Sequence, residues 1–340
     1  MVKPYGMLRA GFPYVKCLGM RRVTNHPMDL AIGLDELIYV VCRGGEIARL
    51  MWDDDGSWDV PDREPIGGTG TEDGKFTWPV AMIRDKDGHL HISDEALHRI
   101  TTLTTSGEFV SKWGEYGDGD GQLNHPSSIA FDAEENVLVV DTMNHRIQKF
   151  TKKGKFISKW GEYGDGPGQF NMPWGIALDD CGDIYVGDWR NHRIQKFTGE
   201  GDFVFQIGSL GSLDGEFYKP AGITIDCDDD IYVADSGNNR IQQFDANGRF
   251  VDKFIGDATL SVMARDYMLT NAHPNRLREM TTLEPAKRLR SPRSVRVTEL
   301  GRMFVVDYGS YRVQVYQKEV VHLDSTQITP PMRSPTLAVV

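Results

Sequence analysis

Five side chains capable of acid–base chemistry stand beside prolines and aspartates that recur along this chain. His26 and His125 each directly precede a proline, Asp29 lies two residues after one, and Glu95 and Tyr308 each follow an aspartate or its equivalent. Imidazole, carboxylate and phenol groups are those that transfer protons in enzymes. We expect these five to supply the catalytic acid and base of a site, and which of them acts as the base stays open at this point.

Six further side chains at the same kind of position suit substrate binding. They are two arginines, three tryptophans and one lysine: Arg43, Arg293, Trp78, Trp174, Trp189 and Lys219. Aromatic walls with a few convergent polar groups are typical of small-molecule pockets, and guanidinium groups bind carboxylates and phosphates. The set predicts a pocket for a small anion, with packing along an internal axis as the alternative.

The prolines and aspartates that mark these positions recur with a period of 47 residues. The two series are Asp94, Asp141, Asp188 and Asp235, and Pro79, Pro126, Pro173 and Pro220. Each of the last three aspartates begins the pattern Asp-x-x-Asn-x-Arg-Ile-Gln. Short apolar runs between turn residues at this period are typical of four-stranded propeller blades.

Two irregular units bring the number of predicted blades to six. Pro292 follows Pro220 by 72 residues, and Pro27 precedes Pro79 by 52, with Cys42 in the place of the aspartate. The sequence therefore predicts an all-β six-bladed propeller over 1–325 and a tail over 326–340. For ring closure we favour a strand in 13–20 that completes the last blade, and the alternative is a strand in 320–324.

All eleven candidate side chains are expected on one face of the propeller. In an antiparallel blade, the loop after the second strand and the loop before the next inner strand open on the same side. The repeated Asp and Arg residues are expected to be structural, with Asp accepting turn N–H groups and Arg bridging to a carboxylate. His145 and His192 belong to the repeated words and are expected to pack in turns.

An insertion of 25 residues separates blades 5 and 6 and falls in 257–290. Its segments 259–269 and 274–283 have helical composition, with Pro274 placed to open a helix. Its end is basic, and a long loop inside a compact domain is usually functional. We expect a lid over the axial pocket, and the alternatives are a helix pair that packs sideways or a dimer contact.

The repeated words resemble NHL repeats closely. The resemblance rests on Gly161-Glu-Tyr-Gly-Asp-Gly-Pro-Gly-Gln-Phe-Asn-Met-Pro, on the related loop that begins at Gly114, and on Asp188-Trp-Arg-Asn-His-Arg-Ile-Gln-Lys-Phe. It covers about 75–325 well and 23–60 loosely, and it implies the propeller fold. It does not imply one activity, because NHL propellers include binding platforms, sensor domains and enzymes.

Two other words are similar to those of the peptidyl-α-hydroxyglycine α-amidating lyases, which are zinc-dependent six-bladed propellers. They are Val41-Cys-Arg-Gly-Gly and Ile92-Ser-Asp-Glu-Ala-Leu-His-Arg, and the first implies a substrate-binding role for Arg43. In that family the zinc-ligand histidines directly follow the inner-strand prolines. Those positions are here Met28, Val80, Ser127, Trp174, Ala221 and Arg293. We therefore expect no cofactor, and in particular no zinc at a three-histidine axial site.

The charge and composition of the chain restrict the kinds of partner that we expect it to bind. A net charge of −11 argues against a broad nucleic-acid surface. The chain has no apolar run of about 18 residues that would cross a membrane. Its four cysteines show no metal-binding spacing and fit a reducing cytoplasm. We expect a cytoplasmic protein that binds a small molecule.

Two functions remain open from the sequence. The first is an enzyme that binds and transforms a small, carboxylate-bearing molecule in the axial pocket by lyase, hydratase or hydrolase chemistry. The alternative is a non-catalytic scaffold that binds a protein or peptide on the same face. The insertion and the mixed chemistry of the candidate residues favour the enzyme.

Overall fold

The computed structural model describes residues 6–33, 37–52, 64–269 and 284–323. Within these residues the chain forms six four-stranded antiparallel sheets and one two-stranded sheet. The four-stranded sheets are the blades of a propeller, so the predicted six-bladed architecture is confirmed.

The strands follow the repeat closely. Two strands precede the first blade, β1 (Gly6–Gly11) and β2 (Tyr14–Leu18). Blades 1 and 2 contain β3 (Pro27–Ile32), β4 (Ile38–Cys42), β5 (Glu46–Leu50) and β6 (Ile66–Gly67), then β7 (Pro79–Arg84), β8 (Leu90–Asp94), β9 (Arg99–Leu103) and β10 (Phe109–Trp113). Blades 3 and 4 contain β11 (Pro126–Phe131), β12 (Val137–Asp141), β13 (Arg146–Phe150) and β14 (Phe156–Trp160), then β15 (Pro173–Leu178), β16 (Ile184–Asp188), β17 (Arg193–Phe197) and β18 (Phe203–Ile207).

The last two blades complete the ring. Blade 5 contains β19 (Pro220–Ile225), β20 (Ile231–Asp235), β21 (Arg240–Phe244) and β22 (Phe250–Phe254). Blade 6 contains β23 (Pro292–Val297), β24 (Arg302–Asp307) and β25 (Arg312–Gln317), and β26 (Glu319–Leu323) follows. Short 3-10 turns occupy 142–144, 236–238 and 308–310.

The N-terminal strand closes the ring. β2 pairs antiparallel with β25 as the outermost strand of blade 6, with Leu18 opposite Val313. The segment that offered the alternative closure pairs elsewhere, because β26 lies against β1. The favoured prediction for closure is therefore confirmed, and blade 6 joins the two ends of the chain.

The core lies between neighbouring blades. The second strands of blades 3, 4 and 5 are buried along their whole length, whereas the outermost strands are largely exposed. One cluster joins Val140 of blade 3 to Ile176 of blade 4, and another joins Val233 of blade 5 to Tyr185 of blade 4. Each blade thus buries its apolar face only against its neighbours, which is why the unit must repeat.

Close approach at the axis requires glycine in blades 4 and 5. A Cβ on Gly175 would lie 2.0 Å from the carbonyl oxygen of Ala221, and one on Gly222 would lie 2.7 Å from that of Arg293. These two glycines let three inner strands converge. They therefore help to set the distance between Trp174 and Arg293.

The described part of the insertion packs against the side of the propeller, next to blade 6. It contains α1 (Val262–Leu269) and α2 (Glu284–Lys287). Ser261 Oγ donates to the carbonyl of Gly19 at 2.8 Å, and Met263 packs on a cluster that includes Leu18. These contacts place α1 beside the outer strand of blade 6. The predicted helix in 259–269 is therefore confirmed, and its position matches the alternative in which the insertion packs sideways. The predicted helix in 274–283 and the tail after 325 lie outside the described residues.

No helix in the described part of the chain is long and apolar enough to span a membrane.

Candidate functional site

The repeated aspartates anchor the loop that enters each inner strand. Asp141 Oδ1 accepts the backbone N–H of Asn124 at 2.6 Å, and Asp188 Oδ1 accepts that of Asn171 at 2.8 Å. The same contact recurs at the other three blades that carry the aspartate. The carboxylate is buried in every one of the five. The structural role predicted for these aspartates is confirmed.

The repeated arginines complete the same anchor. Arg193 Nε donates to Asp188 Oδ2 at 3.0 Å, and its terminal nitrogens donate to the carbonyls of Asp165, Gly166 and Gln169. One guanidinium thus satisfies a buried carboxylate and three loop carbonyls. Burial raises the pKa of the Asp188 carboxyl, and the bonds from Asn171 and Arg193 oppose that rise.

The repeated histidines tie each blade to the next. His145 Nδ1 accepts the N–H of Met172 at 3.0 Å, and His192 Nδ1 accepts that of Lys219 at 3.1 Å. In blade 5, Asn239 Oδ1 makes the same bond to Ser291 at 2.7 Å. Burial lowers the pKa of His145 and His192 because it desolvates the charged imidazolium, and the charge of Lys219 adds to this at His192. Their predicted turn-packing role is confirmed.

The residues that depart from the repeat form two groups at the mouth of the axis. In the first group, Arg43 donates to Glu95 Oε2 at 2.8 Å, and its guanidinium carbon lies 4.8 Å from the ring centre of Trp78. Both charged side chains are partly exposed, and the Trp78 residue is 47% exposed. This group opens to solvent and presents a paired acid and base.

The second group surrounds Arg293. Its guanidinium carbon lies 5.1 Å from the ring centre of Tyr308 and 5.8 Å from that of Trp174. Arg293 Nε is buried and has no hydrogen-bond partner among the described residues. Burial lowers the pKa of Arg293, and Tyr308 and Glu95 oppose this while the charge of Arg43 adds to it. Arg293 therefore lies within electrostatic range of both members of the first group, and this partly buried cation has no carboxylate partner among the described residues.

Trp189 and Lys219 extend this wall toward blade 5. The Trp189 ring centre lies 6.5 Å from that of Trp174, and Lys219 Nζ lies 4.7 Å from the Trp189 ring. Trp189 Nε1 is a second buried donor without a partner in the described part of the chain. The tryptophans and the lysine thus form one continuous surface beside Arg293.

The two histidines are placed differently from one another. The His26 ring lies 5.1 Å from that of Tyr308, so it reaches the second group. His125 Nδ1 lies 2.8 Å from Asn124 Oδ1, and its ring lies 4.8 Å from that of His98. Its contacts are therefore those of the repeated anchor between blades 2 and 3.

Asp29 lies below the mouth and is 3% exposed. Its carboxylate accepts from Ser294 Oγ at 2.6 Å, from the Met82 N–H at 3.0 Å and from Arg296 at 2.6 Å. Its oxygens thus link three blades, which leaves this candidate base occupied in the structure. The space around it measures only about 20 Å³, close to the volume of one water molecule.

Cations of the chain itself fill the acidic clusters. Lys152 Nζ lies 2.8 Å from both Asp85 and Asp87, the carboxylates that with His89 form the one group of metal-ligating geometry among the described residues. At the hairpin of blade 5, Lys318 Nζ lies 2.6 Å from Asp226 and from Asp228. The ammonium groups supply the charge that a metal would supply at both places. The six positions after the inner-strand prolines carry no imidazole.

One cavity was not expected from the sequence. It measures about 390 Å³ and lies at the opposite end of the axis, where the six inner strands end. Arg84 and Arg296 line it among apolar side chains. The sequence did contain an indication of this cavity, because the inner strands otherwise end in apolar residues and these two arginines depart from that pattern.

Three segments match the NHL repeat family, at 123–150, 170–197 and 217–244. The chain carries NHL repeats. These matches fall on blades 3, 4 and 5, and together with the six sheets they make the protein an NHL-type propeller. No curated protein matches the sequence.

Solved structures with the same fold include enzymes. A catalytically inactive virginiamycin B lyase from Staphylococcus aureus, solved with quinupristin, has a TM-score of 0.57 at 14% identity, over 94% of this chain and 87% of that one. A gluconolactonase from Xanthomonas campestris has a TM-score of 0.58 at 11% identity, over 92% of this chain and 100% of that one. A protein of unknown function from Bacteroides thetaiotaomicron has 0.59 at 15% identity, over 93% and 73%. At these identities the likeness establishes the fold.

Proposed function

We propose that this NHL propeller binds a small, carboxylate-bearing molecule at the mouth formed by Arg43, Glu95, Arg293, Trp174 and Tyr308, and that it transforms the molecule by lyase, hydratase or hydrolase chemistry. The observation that carries the proposal is the buried Nε of Arg293, which meets no acceptor. A buried donor without a partner costs about 1–3 kcal/mol, and more when it is charged. A carboxylate seated between Tyr308 and Trp174 would remove that cost.

Glu95 is the group best placed to act on a bound anion. Its carboxylate is held by Arg43 and is partly exposed at the mouth. A ligand carboxylate that engages Arg43 would compete with Glu95, and the released Glu95 would accept a proton from a substrate carbon or from an attacking water. Tyr308, whose ring contacts His26, would return a proton to the leaving oxygen.

The narrow axis limits the size of the ligand. Below Arg293 the cavity holds about 20 Å³, so the ligand would lie in the mouth and not along the axis. Trp78, Trp189 and Lys219 would form its outer wall. The structural neighbours support enzymatic chemistry on this fold, since two of the three named are a lyase and a gluconolactonase. We also propose a cytoplasmic location, which the four free thiols favour.

Calorimetric titration with acetate, lactate and gluconate tests the proposal. At least one of them should bind the wild type, and Arg293→Met should weaken that binding at least tenfold, about 1.4 kcal/mol. The matched control is Arg249→Met, which removes an exposed arginine at the hairpin of blade 5 and should leave the affinity unchanged.

Two results would contradict the proposal. One is equal affinity in Arg293→Met and in the wild type. The other is a wild type that binds none of these anions or phosphate at millimolar concentration, and it would favour the peptide-binding scaffold. Methionine keeps the apolar contacts of the arginine stem with Trp174, so loss of binding in a folded variant reports on the charge.

A further inference from the structure

The cavity at the end of the axis opposite the proposed site has the size and lining of a ligand site. Its volume of about 390 Å³ lies within the range of about 300–1,000 Å³ that small-molecule pockets occupy. It is separated from the other mouth by the buried bonds of Asp29 to Ser294 and Arg296. It is therefore a compartment of its own.

The wall of this cavity departs from the repeat at two positions. Five inner strands end in an apolar residue that lines the cavity: Ile32, Phe131, Leu178, Ile225 and Val297. The sixth ends in Arg84. One position earlier, blade 6 carries Arg296 where blades 1, 3 and 4 carry alanine. Because a repeat needs only its common residues to fold, two arginines at positions where most blades carry apolar residues point to a ligand.

Among the residues that the structure describes, the charges at this cavity do not cancel. Arg296 is paired with Asp29 at 2.6 Å, which makes a neutral pair. Arg84 donates through Nε to the carbonyl of Ile32 at 2.9 Å and has no carboxylate partner among the described residues. The carboxylate of neighbouring Asp85 is occupied by His91 and Lys152. Within the described part of the chain, one guanidinium charge therefore stands in excess beside the apolar side chains of the strand ends.

A second cavity meets the first at Arg84. It measures about 340 Å³ and shares Ile32, Arg84 and Thr298 with it. Its charged residues are Arg84, Arg302 and Glu299, so the excess charge is again positive. A ligand that suits this arrangement has an apolar chain for the axial end and an anionic head that reaches Arg84.

We infer that the protein binds a medium-chain carboxylate in this cavity, with the alkyl chain between the ends of the six inner strands and the carboxylate on Arg84. The alkyl chain would cover apolar surface that each blade now presents to solvent, and each buried methylene contributes about 0.8 kcal/mol. The carboxylate would neutralise the unpaired guanidinium through a charge-assisted, bidentate bond. This site is independent of the function proposed for the other mouth.

Titration calorimetry of the whole protein with octanoate tests the inference. We expect saturable binding of one octanoate per chain. Propionate, which has the head without the chain, and octylamine, which has the chain with the opposite charge, should each bind at least tenfold more weakly. Arg84→Met should reduce octanoate affinity at least tenfold, and Arg249→Met should not change it.

A second variant separates loss of the site from loss of the fold. Ala130 is partly exposed on the cavity wall, and Ala130→Phe would fill the cavity without a change in charge. It should abolish octanoate binding, while the circular dichroism spectrum and melting temperature of the folded protein stay near those of the wild type. Arg84→Lys should restore part of the affinity, because it keeps the charge without the fork.

The outcomes that overturn the inference are specific. They are octanoate affinity unchanged in both Arg84→Met and Ala130→Phe, octylamine binding as tightly as octanoate, or binding that does not saturate. Arg293→Met should bind octanoate like the wild type. A loss of octanoate binding in that variant would place the ligand at the other mouth and would equally contradict the inference.

Discussion

The two ends of the propeller axis are built from the same six inner strands and differ in chemistry. At the end where the strands begin, aromatic rings and paired charges crowd a narrow mouth around Arg293 and Tyr308. At the other end, mostly apolar side chains line a cavity of about 390 Å³, where the described residues leave one guanidinium in excess. The Asp29–Arg296 pair stands between them.

The difference follows from what each end must do for the fold. The strand beginnings carry the anchors that join one blade to the next, so five of the six blades bring an Asp and an Arg to that face, and three of these also bring a His. Side chains that depart from these anchors are surrounded by polar partners. The strand ends lead only into short hairpins, and their side chains are free to remain apolar. One repeat can therefore carry two unlike sites on one axis.

Removal of one anchor should have the largest effect on stability. Asp188→Ala would leave Arg193 buried without its carboxylate, and a broken buried pair costs about 3–5 kcal/mol. We expect a lower denaturant midpoint, measured by chemical unfolding. Thr224→Val, at the opposite end of the axis, should change the midpoint by far less. A small effect of Asp188→Ala would mean that the anchors do not account for the difference between the two ends.

Removal of the Asp29 charge, which lies between the two ends of the axis, should have an effect of intermediate size on ligand affinity. Asp29→Asn keeps a side chain of the same shape and leaves Arg296 without its counter-charge. The affinity for octanoate at the cavity lined by Arg84 should rise several-fold. The binding of acetate, lactate and gluconate at the mouth around Arg293 should not change. Calorimetry of both ligand classes with the same protein preparation checks this. A parallel change in both would show that the two sites are coupled.

The smallest expected effect is the pH dependence of stability that the anchor histidines contribute. Burial holds the pKa of His145 and His192 below the ordinary value of 6.5, so the unfolded chain binds protons more readily than the folded one. The stabilisation that these two histidines contribute to the folded state is thus fully present above about pH 6.5. It is lost as the pH falls through their lowered pKa in the folded state. In the double variant His145→Asn/His192→Asn the melting temperature should fall less between pH 7.5 and 5.

Asparagine is the matched replacement because the protein already uses it. Asn239 makes the same bond in blade 5 with a φ of 57°, close to the 55° of His145. At pH 7.5 the double variant should melt near the wild-type temperature. A slope with pH equal to that of the wild type would assign the acid lability to other groups. Buried carboxyls such as Asp188 and Asp235, whose pKa is raised, act in the opposite sense in both proteins.

Much of the candidate site could be predicted from position in the repeat. Arg43, Glu95, Arg293, Tyr308 and Trp174 were expected on one face because each stands beside a marked proline or aspartate, and the structure brings them to one mouth. Asp29 was placed with them by the same argument. Position alone could not show that its carboxylate turns toward Ser294 and Arg296, because the partners come from a blade more than 260 residues away in sequence.

The repeat, the number of blades and the anchor residues could be read from the amino-acid sequence, which also favoured one of two strands for ring closure. These follow from local spacing and from the alternation of apolar and turn residues, which a linear chain displays directly. Three features emerged from the tertiary structure: the described part of the insertion lies beside blade 6, Arg293 Nε has no acceptor among the described residues, and the cavity of about 390 Å³ lies at the far end of the axis. Such features depend on how six distant strands converge, and the volume left between them is a property of their packing that no single repeat contains.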